Sequence, residues 1–328
     1  MHSLFYDRAR DVEHAIQLAA EPGARYIGGG TNLLDLYKSG VERPERLVDI
    51  SRLPLNTIEE LPHGGVRIGA LASNTATANH PLIRQCYPLL SQALLDGATV
   101  QLRNMATVGG NLLQRTRCYY FTDPMLGPCN KRVPGSGCSA VDGYNRIHAI
   151  LGASPSCIAV NPSDMGIALC ALDATIHLRG PQGERTIAMV DFHRLPGDTP
   201  HIDANIGSGE LITAVDLPSS PFAAHSFYLK VRDRASYAFA LVSVAAALDL
   251  QDGVVRDVRI VLGGVAHKPW RSVGAEAALR GQALSDDSLL RAANAAVAGA
   301  QPCADNGYKI ELARRAIVRA VRTAGGLA

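Results

Sequence analysis

Two short glycine-rich segments constrain this chain more than any other feature. The first, Gly28-Gly29-Gly30-Thr31-Asn32, follows the strand-like Arg25-Tyr26-Ile27; the second, Thr107-Val108-Gly109-Gly110-Asn111, follows a helical stretch and an Arg103-Asn104 pair. Glycines let the backbone turn sharply and bring several N–H groups together, and such a nest holds phosphate oxygens. A glycine triplet also suits a plain tight turn. Neither segment is a phosphate loop of the Lys-Ser/Thr kind, and neither has the G-x-G-x-x-G spacing of a dinucleotide fingerprint. Two nests in one chain can nevertheless hold both phosphates of one dinucleotide. Asp164, in Asn161-Pro162-Ser163-Asp164, adds a carboxylate suited to ribose or ribityl hydroxyls.

The rest of the chain is read around these segments. Residues 11–20 place Val12, Ala15, Ile16 and Ala19 on one helical face behind an Asp11 cap. With strands at 25–27 and 48–50 they make a small βαβ unit, and a first domain is expected over 1–56. A second, 57–220, should hold a strand at 65–70, a helix over 82–98, a helix at 165–172, a hairpin turning at Gly180-Pro181-Gln182-Gly183 and a strand at 210–217. A third, 221–328, should hold a strand at 226–231, a buried helix-to-strand segment over 237–249, a hairpin at Gln251-Asp252-Gly253 and an Ala-rich helical tail. The fold class is therefore α+β.

Four of the seven cysteines, Cys118, Cys129, Cys138 and Cys157, fall between the second nest and Asp164, spaced C-x10-C-x8-C-x18-C. The tight C-x2–4-C knuckles of structural zinc sites are missing. Four thiolates on irregular loop suffice for a [4Fe–4S] cluster; a zinc site and four free thiols are the alternatives. The surrounding Gly127 to Arg132 and Gly135 to Cys138 are loop-forming and basic, which would offset a cluster's negative charge. His148 is a metal ligand by residue type, but four cysteines already complete a site. Cys86, Cys170 and Cys303 read as small buried hydrophobes. Trp270 reads as packing at a domain or subunit contact, and Arg232-Asp233-Arg234 as a solvated charge run.

Four segments together, Tyr26 to Leu34, Arg103 to Leu112, Ser163-Asp164-Met165 and Lys230 to Ala240, resemble the FAD-binding (medium) subunit of the molybdenum hydroxylase family, which includes xanthine dehydrogenase, carbon monoxide dehydrogenase and aldehyde oxidoreductases. The resemblance runs along essentially the whole chain. It implies a vanillyl-alcohol-oxidase-type FAD fold of two subdomains followed by a C-terminal α+β domain. By the same resemblance, Tyr26, Ile27, Gly28, Gly29, Gly30, Thr31, Asn32, Leu33 and Leu34 would grip FAD together with Thr107, Val108, Gly109, Gly110 and Asn111. Asp164 would hold ribityl or ribose hydroxyls, and Ile212 and Lys230 would lie against the flavin or its neighbouring chain. An ammonium there would stabilise the anionic reduced flavin.

The sequence departs from the NAD-reducing members twice. Ser236-Tyr237-Ala238 stands where those carry acidic residues, so Tyr237 is expected to cover part of the flavin and the external acceptor to be other than NAD. The 52 residues between Asn111 and Asp164 form an insert (about 112–163) where most of the family has a short segment. Similar cysteine-bearing inserts occur in the flavin subunits of 4-hydroxybenzoyl-CoA reductase and, closer to this sequence, of bacterial periplasmic aldehyde oxidoreductase. The implied partners are a large molybdenum-cofactor subunit and a small [2Fe–2S] subunit. Other family activities, or a free-standing FAD reductase of the same fold, are the competing readings.

Composition excludes other classes. A formal net charge of +2 with 5% aromatics leaves no nucleic-acid footprint. No apolar run is long enough to cross a bilayer, and no membrane insertion is expected. The start of the chain shows no export signal, so the protein is expected in the periplasm as passenger of a signal-bearing partner, or else in the cytoplasm. Neither a nucleophilic triad nor a carboxylate pair with an acid/base task is present, so the chemistry would belong to cofactors.

Overall fold

The computed structural model describes residues 4–327. Its first unit is a three-stranded parallel sheet of β1 (Phe5–Arg8), β2 (Ala24–Ile27) and β3 (Arg46–Asp49), in the order β1-β3-β2. Helix α1 (Val12–Ala19) makes the first crossover. Its Asp11 cap accepts from the His14 N–H at 2.8 Å, and Ala15, Ile16 and Ala19 are its buried face. Helix α2 (Leu33–Lys38) makes the second crossover, so the first nest lies at the carboxyl end of β2, where parallel sheets place ligands.

The second unit is an antiparallel five-stranded sheet, order β4-β5-β8-β6-β7. Its strands are β4 (Ile58–Glu60), β5 (Val66–Gly69), β6 (Thr175–Gly180), β7 (Gly183–Ala188) and β8 (Leu211–Leu217). Helices α3 (Asn74–Asn79), α4 (Pro81–Cys86), α5 (Pro88–Asp96), α6 (Val100–Met105) and α7 (Val108–Leu112) follow β5. The single helix expected over 82–98 is broken, because Pro88 disfavours helical backbone at Tyr87. Tyr87 leaves the helix at φ −135°, ψ 55°, and its hydroxyl donates to the Pro218 carbonyl at 2.8 Å. Only α8 (Tyr119–Thr122) and one 3₁₀ turn give the insert regular structure before α9 (Asp164–Ala171), which is buried along its length. Helix α10 (Met189–Phe192) follows β7.

The third unit is a four-stranded antiparallel sheet of β9 (Ser226–Val231), β10 (Val242–Gln251), β11 (Val254–Gly263) and β12 (Trp270–Arg271), backed by α11 (Val273–Leu279), α12 (Asp286–Val297) and α13 (Tyr308–Ala324). Asp252 and Gly253 both have positive φ (51° and 76°), as a two-residue hairpin with the right twist requires. The segment expected to run from helix into strand is loop followed by strand. Its apolar continuity has another cause: β10 is buried on both faces. Val244, Ala246 and Leu248 enter the C-terminal core, whereas Ala245 and Ala247 enter the core of the second unit beside Ile167 and Leu169 of α9. Alanines suit the second face because a helix packs close against it. Trp270 packs over Gly152 of the insert, a contact between domains within this chain.

Candidate cofactor cleft and cysteine cavity

A cleft of about 690 Å³ opens where the three units meet. The two nests support one of its walls, and they touch each other. A Cβ on Gly29 would come within 1.8 Å of the Met105 carbonyl oxygen, so only glycine lets the β2–α2 turn approach the α6–α7 turn. Asn32 Oδ1 accepts from the Arg115 N–H at 2.8 Å, joining the first nest to the start of the insert. Asn111 Oδ1 accepts from Ser163 Oγ at 2.7 Å, and Ser163 caps α9 by accepting from the Gly166 N–H at 2.8 Å. Both ends of the insert are therefore pinned beside the cleft.

Of the residues named from sequence, Thr31, Asn32, Gly110, Asn111, Asp164, Lys230 and Tyr237 line the cleft. Gly28, Gly29 and Gly30 lie behind them, as do Thr107, Val108 and Gly109. Thr107 caps α7 through the Gly110 N–H at 3.1 Å, and Val108 is fully buried. Leu33 and Leu34 open α2, and Leu34 packs over Gly30. Ile27 ends β2, and the Tyr26 hydroxyl donates away from the cleft, to the Gly209 carbonyl at 2.8 Å. Ile212 is buried in β8 beside Gly109 and does not reach the lining.

Lys230 is neither solvated nor free in the cleft. Its side chain is 2% exposed, and Nζ lies 2.8 Å from Asp164 Oδ2 and 3.0 Å from the Asp96 carbonyl. The other Asp164 oxygen accepts from the Tyr228 hydroxyl at 2.6 Å. This buried pair ties β9 to the start of α9. The Arg232-Asp233-Arg234 run lines the cleft with Asp233 and Arg234 exposed to solvent: Arg232 donates to the Asp96 carbonyl at 3.1 Å, and Asp233 holds a two-point ion pair with Arg146 of the insert at 2.7 and 2.8 Å. Arg234 donates to the carbonyl of Tyr237, whose backbone is left-handed at φ 56° and whose ring is 67% exposed at the rim. A tyrosine held at positive φ is strained, and the loop fixes it there. Arg103, placed in a motif from sequence but given no role, clamps the α5–α6 turn through the carbonyls of Leu95, Gly97 and Ala98.

The four cysteines of the insert line a second, small cavity together with Tyr120, Phe121 and Lys131. Cys129 and Cys138 face each other in a β-bridge. Asn130 sets the spacing of the other segments: its amide donates to the Ser156 carbonyl at 2.9 Å and accepts from the Gly137 N–H at 2.8 Å. Backbone N–H groups of Tyr120 and Phe121 point at Cys118, those of Ala140, Val141 and Ile158 at Cys138, and that of Ala159 at Cys157. Burial pushes the Cys118 thiol up to about 12. Cys138 and Cys157 share a hydrogen bond that lowers the first and raises the second. Lys131 is buried, donates to the Pro200 carbonyl at 2.7 Å and pairs with Asp203. Among the described residues, no group of three or more His, Cys, Asp or Glu side chains is arranged to hold a metal ion.

The two cavities share a wall one strand of chain thick. Along residues 117–120 the side chains alternate: Arg117 and Tyr119 face the cleft, while Cys118 and Tyr120 face the cysteine cavity. Arg117 is desolvated, which lowers its pKa, and its guanidinium lies 5.0 Å from the Phe239 ring centre. Arg117 carried no sequence signal.

Comparison with known proteins agrees with this architecture. Residues 2–220 match the FAD-binding domain of molybdopterin dehydrogenases, and residues 227–324 match the CO dehydrogenase flavoprotein C-terminal domain. The chain therefore belongs to the family of FAD-binding medium subunits of the molybdenum hydroxylases, and it is an oxidoreductase subunit. It is 50% identical to the aldehyde oxidoreductase FAD-binding subunit PaoB of Escherichia coli (strain K12), over 97% of this chain and 96% of that one. It is 29% identical to the glyceraldehyde dehydrogenase medium chain of Sulfolobus acidocaldarius, over 86% and 83%. Among solved structures, carbon monoxide dehydrogenase from Hydrogenophaga pseudoflava superposes with a TM-score of 0.78 at 26% identity, covering 100% and 99% of the two chains.

Proposed function

We propose that this chain is the FAD-binding electron-transfer subunit of a molybdenum-containing aldehyde oxidoreductase, and that its insert holds a [4Fe–4S] cluster. The observation that carries the reading is the alternating wall at 117–120, which sets four cysteines directly behind a cofactor-sized cleft. The cleft volume lies in the range of cofactor sites, and the interlocked nests suit a pyrophosphate. Each Asp164 oxygen accepts one bond within the chain and retains a lone-pair direction for a ribityl hydroxyl. Lys230 acts through Asp164, pairing with it and fixing its orientation. When bound, FAD would supply a carrier able to exchange one or two electrons.

The cysteine set fits an iron–sulfur cube. Four thiols line one hollow, and the tight C-x2–4-C knuckles of zinc sites are missing, which favours a cluster over zinc. Backbone N–H groups face the sulfurs, as an anionic cluster needs. Substrate would be oxidised on a large molybdenum-cofactor subunit, and a small [2Fe–2S] subunit would relay electrons to this chain. The Arg146 partner of Asp233 occupies the carboxylate in the Lys230–Ala240 loop, which supports an acceptor other than NAD. The assembled complex would act in the periplasm, carried by a signal-bearing partner, and cell fractionation tests that location.

The deciding experiment is metal and flavin analysis of the purified complex, with and without Cys129→Ala. The expected result is molybdenum, FAD and iron in the parent, and loss of one cluster's iron with flavin retained in the variant. Equal iron in both would overturn the cluster, and a complex without flavin would overturn the cofactor reading.

A further inference from the structure

His148 is used by neither the cleft nor the four-cysteine set, yet it is fully buried, and its Nε2 lies 3.0 Å from Cys118 Sγ. Its position does not depend on the sulfur. The His148 N–H donates to the Asn145 carbonyl at 3.0 Å. Its own carbonyl accepts from Lys309 Nζ at 2.8 Å and Asn306 Nδ2 at 3.3 Å, both from the C-terminal domain. The ring is tilted against Tyr120, their centres 6.5 Å apart.

A neutral imidazole has one N–H. A cysteine sulfur bonded to a cluster is a thiolate with no proton to donate, so the hydrogen of this 3.0 Å contact belongs to Nε2.

Resting on the cluster reading above, we propose that His148 is a positioning residue whose Nε2–H donates to the Cys118 thiolate, orienting this ligand and favouring the reduced cluster. Hydrogen bonds to cluster sulfurs stabilise the more negative, reduced form and raise the reduction potential. Cys118 belongs to the wall shared with the cleft, so the donor would act on the ligand held in that wall.

The test is redox titration of the intact complex, following the cluster by electron paramagnetic resonance, with His148→Leu and His148→Gln. His148→Leu should keep full iron content and shift the cluster midpoint to more negative potential; the amide of His148→Gln should restore part of the shift. The flavin midpoint should not move. Resonance Raman of the parent in deuterated buffer should shift Fe–S(Cys) bands, and His148→Leu should abolish that sensitivity. An unchanged midpoint in fully loaded His148→Leu would overturn the proposal, as would equal loss of iron from both variants, which would make the residue a ligand or a fold support. A parent complex with no [4Fe–4S] signal would overturn the cluster reading itself, a separate result.

Discussion

The cleft and the cysteine cavity lie back to back but are built in opposite ways. The cleft is assembled from distant pieces of regular structure: the β2–α2 turn, the α6–α7 turn, the first turn of α9 and the loop after β9. Backbone shape and one buried ion pair hold those pieces together. The cavity comes from one contiguous insert with almost no ladder of its own. There, long polar side chains replace secondary structure by donating to loop carbonyls: Arg132 to Gly127, Asn130 to Ser156, Lys131 to Pro200 and Lys309 to Ile147, His148 and Gly264. A site gathered from afar fails when packing fails, whereas a local site fails when one of its own ties is cut.

The sharpest way to break this contrast is Lys230→Met. Removing one member of a buried pair leaves Asp164 charged and unpaired, at a cost of about 3–5 kcal/mol. Denaturant unfolding of the complex should show that loss together with weaker flavin retention, while iron in the insert is kept. Equal loss of flavin and iron would mean that the two sites are not independent. Gly29→Ala should cost about 3 kcal/mol, because its Cβ would meet backbone at Met105 and not a movable side chain. Flavin absorbance per complex should fall to near zero with iron unchanged, and a flavin-replete variant would show that the nests need not touch.

Lys309 gives the smallest and most specific effect. Burial lowers its pKa from 10.5 to about 7, and its Nζ donates hydrogen bonds to three backbone carbonyls. Between those two values the unfolded chain holds a proton that the folded chain has released. Unfolding then takes up a proton, so stability should rise with pH across the window, by at most about 1.4 kcal/mol per unit. Lys309→Met should flatten that slope in unfolding measurements from pH 7 to 10. An unchanged slope would remove Lys309 as its source.

Much of this division was legible in sequence because its signals are local. The nests, the Asp11 cap, the Gly180–Gly183 and Asp252-Gly253 turns and the crowding of four cysteines are each contained within a short window. What escaped is long-range. Lys230 finds Asp164 across 66 residues of chain, and Asp233 finds Arg146 across 87, with nothing near either residue to name the partner. His148 was visible as a residue type, but its contact with Cys118 depends on ties from α13. The β10 strand was obscured by its own composition. An alanine-rich, uncharged run has no polar face from which to read a period of two when both faces are buried.

That double burial bears on what counts as a part of this molecule. The two family matches meet between residues 220 and 227, a natural seam in the sequence. The folded chain has no matching seam, since alternate side chains of β10 belong to different cores and Tyr228 of β9 reaches Asp164. Severing the chain there would uncover the Ala245–Ala247 face of one fragment and open the α5–α9 layer of the other. Cooperativity merges the two modules: heat or denaturant should melt both in a single transition.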